Sequence, residues 1–137
     1  MAILGDDNNH YSFHKQYTHG GTDLYRFYCF VTDLIVDLNT NFPNRKFCFT
    51  MDNLNIHKHP MILELIEDAG HRLVFQSPYW SCDGAIEYVF NTIHMHLEID
   101  NGVYMVDVDA LVNRINLIIG SLGSFRRYFL HVGFQDN

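Results

Sequence analysis

Lys46-Phe47-Cys48-Phe49-Thr50-Met51-Asp52-Asn53 is the stretch on which the fold turns. Its alternation puts Phe47, Phe49 and Met51 on one face and Cys48 and Thr50 on the other. Both faces are apolar enough for a central strand covered by helices, and Asp52-Asn53 ends it. A second run, Arg72–Gln76, centres on Leu73-Val74-Phe75 and predicts another strand. Between the two, Pro60 suits a first helical position, Ile62, Leu65, Ile66 and Ala69 form an apolar stripe, and Gly70 is a stop.

The outer segments extend this alternation. Ala2–Leu4 and His10–Thr18 flank the turn signal Gly5-Asp6-Asp7-Asn8-Asn9 and predict a β-hairpin. Thr22 is the expected cap of a first helix, with Leu24, Phe27, Tyr28, Val31, Leu34, Ile35 and Leu38 at helical spacing and an end near Asn39–Pro43. Asp83 is the expected cap of a helix striped by Ile86, Val89, Phe90, Ile93 and Leu97. Asp107 caps another, carrying Val108, Leu111, Val112, Ile115, Ile118 and Ile119. A short last helix holds Phe125, Tyr128, Phe129 and Val132. Strands alternating with helices predict an α/β layered domain, one domain over residues 1–137.

Composition narrows the function. At 137 residues with 47% hydrophobic and 15% aromatic side chains, the chain has enough apolar material for one ordinary core. No apolar run approaches membrane-spanning length, and the N-terminus has no secretory character, so a nuclear or cytoplasmic location without a membrane is expected. Nine Lys and Arg against 16 Asp and Glu leave a net charge of -7, which opposes DNA binding by this chain alone. The three cysteines, 29, 48 and 82, are too scattered for a disulfide framework and are expected in the core. His94 and His96 diverge on a helix at i, i+2, which disfavours zinc, and His57-x-His59 makes no stronger case. Arg126-Arg127 is expected to neutralise neighbouring acids.

Asp52 stands at the carboxyl end of a predicted strand, where functional residues of open α/β sheets collect. Glu87, with 34 residues intervening, shares a helix face with Asn91 and His94, away from the buried stripe. Two such carboxylates can jointly hold a hard divalent cation. The alternative on spacing alone is that Asp52 caps a turn and Glu87 is a surface helix residue.

Thr50-Met51-Asp52-Asn53-Leu54-Asn55-Ile56-His57 and Ser77-Pro78-Tyr79-Trp80-Ser81-Cys82-Asp83-Gly84-Ala85-Ile86-Glu87-Tyr88-Val89-Phe90-Asn91 together resemble the catalytic domain of mariner-like transposases, of the DDE endonuclease superfamily. That family carries Asp-Asn-x-x-x-His at its second acidic residue. Its third follows a Pro-Tyr and lies in an Ile-Glu pair, commonly with 34 residues between the two acids. The tail Tyr128-Phe129-Leu130-His131-Val132-Gly133-Phe134 also looks like the family's, and the resemblance spans about Ala2 to Phe134.

The resemblance implies a ribonuclease-H-like fold, a mixed sheet with Lys46–Met51 central and helices on both faces. It implies magnesium or manganese as cofactor and DNA as substrate, with two metal ions serving phosphodiester cleavage and strand transfer. Asp52 then matches the second carboxylate and Glu87 the third, as catalytic and metal-binding residues whose carboxyl groups converge to within roughly 4–8 Å. Asn53, His57 and Asn91 are supports. No residue matches the first carboxylate, which the family carries on its first strand. Asp6 and Asp7 lie in a turn where the family has no catalytic residue. The chain therefore reads as an N-terminally truncated domain lacking the first strand, expected to be inactive by itself. An open sheet edge is expected to favour a homodimer or a protein partner. The rival expectation is a non-catalytic structural or interaction module adopted from a transposase fragment.

Overall fold

The computed structural model describes residues 1–6, 8–15, 20–76, 84–99 and 107–134. In chain order they form β1 (Ala2–Ile3), β2 (Ser12–Phe13), α1 (Leu24–Asn41), β3 (Cys48–Met51), α2 (Pro60–Asp68), β4 (Arg72–Phe75), α3 (Ala85–Ile99), α4 (Val108–Ser121) and α5 (Arg126–His131). The class is α/β, as the alternation predicts. The described strands fall into two two-stranded sheets, β1–β2 and β3–β4, where a single mixed sheet is expected from the sequence. The chain divides into two compact units, one built on Phe13–Ser81 and the other on Ala2–Ser12 with Cys82–Asn137.

In the first unit β3 and β4 run parallel, with Cys48 opposite Arg72, Phe49 opposite Leu73, Thr50 opposite Val74 and Met51 opposite Phe75. Val31, Ile35, Ile62 and Ile66 form the core, and Phe27, Phe49, Met51 and Leu73 pack against it. Phe49, Met51 and Leu73 thus share the inner face that the two-residue period assigns them. Full burial, as at Ile62 and Ile66, contributes roughly 1.5–3 kcal/mol per side chain, and the half-buried Phe49, Met51 and Leu73 contribute less.

The expectation of a central strand is corrected here. Among the described residues β3 bonds only β4. Its outer face is also open, with Cys48 exposed and Val74 52% exposed. Cys48 is therefore no core residue, because the strand's phase turns it away from α1 and α2. Cys29 is half-buried, and Cys82 lies outside the described residues.

Helix limits follow local chemistry. The Asp23 carboxylate, not Thr22, caps α1 by accepting the Arg26 N–H at 2.8 Å. A carboxylate at that position also meets the positive end of the helix, which a hydroxyl does not. The helix closes when the Phe42 N–H returns to the Leu38 carbonyl, and Pro43 cannot extend it. Pro60 is the first residue of α2, whose cap is His59. Gly70, at φ +79°, makes the left-handed stop before β4.

In the second unit the Ala85, Val89 and Ile93 side of α3 is buried, together with Ile118 and Ile119 of α4 and Leu122, Phe125 and Tyr128. Phe90 and Val108, both assigned to buried stripes by periodicity, are 41% and 61% exposed. For α3 the centre of the stripe lies one position round, on the i, i+4, i+8 row. The turn after β1 is shaped by Asp6, whose carboxylate accepts from the Asn8 N–H at 2.9 Å and Asn9 Nδ2 at 3.1 Å. A Cβ at Gly5 would stand 2.7 Å from the Phe129 ring, so this close approach requires glycine. Of the expected strand His10–Thr18 the described ladder holds Ser12–Phe13, and residues 16–18 lie outside the described residues. Asp7 and the Asp83 cap lie outside the described residues.

Candidate functional site

Asp52 follows β3 directly, and Gln76 follows β4, so both stand at the carboxyl edge of the parallel pair. The ladder runs one step beyond β4, with the Gln76 N–H donating to the Met51 carbonyl at 2.8 Å. Asn53 Nδ2 then donates to the Gln76 carbonyl and ties the loop after β3 to the end of β4. Removing this amide leaves a part-buried carbonyl without its donor. An Asn53→Ala variant is expected to lose about 1–3 kcal/mol of stability, measured by urea denaturation, with a surface substitution such as Glu64→Ala as control.

The loop beyond Asn53 is wound by local bonds. The Asp52 Oδ1 accepts from the Leu54 N–H at 3.3 Å, and the His57 N–H returns to the Leu54 carbonyl at 3.0 Å. This winding brings the His57 ring back over Asp52, with Nδ1 2.5 Å from Oδ1. A carboxylate only accepts, so the proton on this bond belongs to His57 Nδ1, and Nε2 is left as the acceptor of the neutral ring. The ring is held from the other side by Phe27, with centroids 4.5 Å apart. His57 is 19% exposed and Asp52 54%. The spacing Asp-Asn-x-x-x-His is therefore one local device, in which Asn53 anchors the loop and His57 and Leu54 hold one carboxylate oxygen. Oδ2 has no protein partner among the described residues.

Glu87 lies in the first turn of α3, where its carboxylate meets the positive end of the helix. Glu87, Asn91 and His94 are all exposed, on the helix side opposite Val89 and Ile93. His94 Nδ1 stands 3.2 Å from Glu98 Oε1, one turn on. Asp52, Asn53 and His57 belong to the first unit, Glu87 and Asn91 to the second. Among the described residues no group of three His, Cys, Asp or Glu side chains is placed to hold a metal. Asp52 and Glu87 nonetheless offer hard oxygen donors of the kind magnesium and manganese take.

His57 and His59 serve separate ends, His57 on Asp52 and His59 Nδ1 on the Met61 N–H at 3.4 Å. The Arg127 guanidinium donates to the Tyr128 hydroxyl at 2.8 Å and covers its ring. The Tyr128 side chain thus positions Arg127 through its hydroxyl and its ring face.

Sequence reasoning missed His71. It is 5% exposed and is the buried polar residue of the described core. A signal was present: His71 is in phase with Leu73 and Phe75, which puts it on the inner side of β4. Compared with known protein families, with curated proteins and with solved structures, the chain matches none. No helix among the described residues is long and apolar enough to cross a membrane.

Proposed function

We propose that this chain is a transposase-derived, ribonuclease-H-like DDE endonuclease domain, related to mariner-like transposases, in which Asp52 and Glu87 are the metal-binding carboxylates. The observation that carries the reading is the held geometry of Asp52. It stands at the carboxyl edge of a parallel pair, with Oδ1 taken by His57 and Leu54 and Oδ2 left for a cation. Asn53 fixes the loop and His57 orients the carboxylate, while Asn91 stands one turn beyond Glu87 on the same exposed side of α3. Magnesium or manganese at these carboxylates would supply charge stabilisation for an in-line attack on a DNA phosphodiester. Only two carboxylates match the motif of three, so the activity proposed for these 137 residues is weak or nil.

Binding of Mn²⁺ to the isolated chain tests the reading, by electron paramagnetic resonance or calorimetry. Weak binding is expected, lost in Asp52→Asn and in Glu87→Gln, and about 10-fold or more weaker in His57→Ala, since outer partners of a ligand typically contribute that much. Binding that neither carboxylate variant alters would overturn it.

The net charge of -7 favours a second reading, a non-catalytic structural or interaction module of the same origin. A second copy or another protein pairing along the edge of β3 that no described strand occupies would then be its partner. That module predicts no Mn²⁺ dependence of any binding event, which separates it from the first reading.

A further inference from the structure

His71 closes the amino end of the β3–β4 pair, opposite the end that carries Asp52. Its Nδ1 accepts the Phe47 N–H at 3.4 Å, and the next residue completes the closure, the Arg72 N–H donating to the Phe47 carbonyl at 2.9 Å. The imidazole lies against the edge of Phe47 and beside Phe49, both with ring centroids at 5.6 Å. Because Nδ1 accepts, the proton of the neutral ring is on Nε2. That nitrogen is buried and has no hydrogen-bond partner among the described residues. A buried donor left unpaired is costly, and its retention here calls for an explanation.

We propose that His71 is a pH-sensitive latch. When neutral it joins the turn between α2 and β4 to the start of β3, and when protonated it releases that end of the strand pair. The chemistry is local. A second proton can only go to Nδ1, where it faces the Phe47 N–H donor to donor, so the bond that fastens the latch is lost. The charged ring would also sit among aromatic rings, with no counter-ion among the described residues. Lys46 acts against the charge. Arg45 lies over the Phe47 ring at 5.6 Å and is cationic too. From α2, Glu67 and Asp68 are exposed and make no ion pair with His71, and Arg72 on β4 is exposed. Burial first, and then Lys46, lowers the His71 pKa below its ordinary 6.5. The sign follows: the unfolded chain takes up this proton more readily than the folded one. The stability given by the neutral ring is complete above about pH 6.5 and is lost as pH falls toward the lowered value. This inference is independent of the metal reading above.

Hydrogen exchange followed by NMR between pH 7.5 and 5 tests it on the whole chain. Protection of the Arg72 amide, corrected for intrinsic exchange, is expected to fall by up to about tenfold per pH unit below 6.5, the limit for one linked proton. His71→Phe and His71→Leu should make the profile flat. The His71 ring in the unsubstituted protein should titrate below 6.5, a readout that needs no variant to fold. A ring that titrates at or above 6.5, or an equal loss of protection in the variants, would overturn the latch.

Discussion

Ile66→Ala is expected to lower the unfolding free energy by about 2–5 kcal/mol, the range for deleting a buried branched side chain whose cavity only partly collapses. Ile66 is 0% exposed and sits with Ile62, Val31 and Ile35 where α2 meets α1. Phe49, Met51 and Leu73 close the same cluster from the sheet. Neighbours on three elements leave little freedom to fill the hole. The effect is large because domains of this size have only about 5–15 kcal/mol of net stability. Glu64→Ala, on the exposed side of the same helix, should stay within about 0.5 kcal/mol and controls for helix propensity. Urea denaturation read by circular dichroism distinguishes them. A loss below about 1 kcal/mol at Ile66 would mean that the cluster is not the core of this unit.

Much of this unit was legible because its signals agree across levels. The phase of Phe49 and Met51, the stripe Ile62-Leu65-Ile66-Ala69, Pro60 at the helix start and Gly70 at its stop each point to the same element. The departures have physical causes of their own. Thr22 and Asp23 are both competent caps, and adjacency gives no way to choose; the carboxylate wins where the helix end is positive. Strand composition tells that both faces of Cys48–Met51 are apolar enough to be covered, not what covers them. That β3 pairs with β4 alone among the described residues could not be read from its sequence. Phe90 and Val108 show the limit of periodicity, which assigns a stripe wider than the part a neighbour actually covers. His71 was legible and overlooked, because a histidine in phase with Leu73 and Phe75 is an inner-face residue whatever its polarity.

The candidate site divides in the same way. Local spacing gave Asp52, Asn53 and His57, since a five-residue return is short enough for the loop to be closed by its own backbone bonds. Even so, the partner of Asn53 is on another strand, and no local pattern names Gln76. Glu87 was legible as an exposed helix carboxylate from the phase of α3. Its proposed partnership with Asp52 comes from the family resemblance alone, because two residues with 34 between them carry no periodic signal of proximity.

With magnesium or manganese and a nicked or hairpin DNA, the 137-residue chain is expected to cleave and join nothing above background. Two-ion phosphoryl chemistry needs a carboxylate that bridges both ions, and on the proposed reading Asp52 and Glu87 would supply the second and third acids only. Phosphate approach is opposed as well, by a net charge of -7. An added strand that carries an Asp ahead of Ala2 is expected to bring metal-dependent cleavage, and Glu87→Gln or Asp52→Asn in that longer chain to return it to background. His57→Ala should fall between, about 10–100-fold down, because it orients the carboxylate without binding the ion. A gel assay of end-labelled DNA with and without chelator reads all of these. Cleavage by the bare chain that Asp52→Asn removes would mean that another carboxylate completes the site. Asp6 and Asp7 are then the first to substitute, with the caution that Asp6 already spends both oxygens on Asn8 and Asn9. Its replacement would loosen the turn after β1, so Asp6→Asn must be scored by metal affinity as well as by rate.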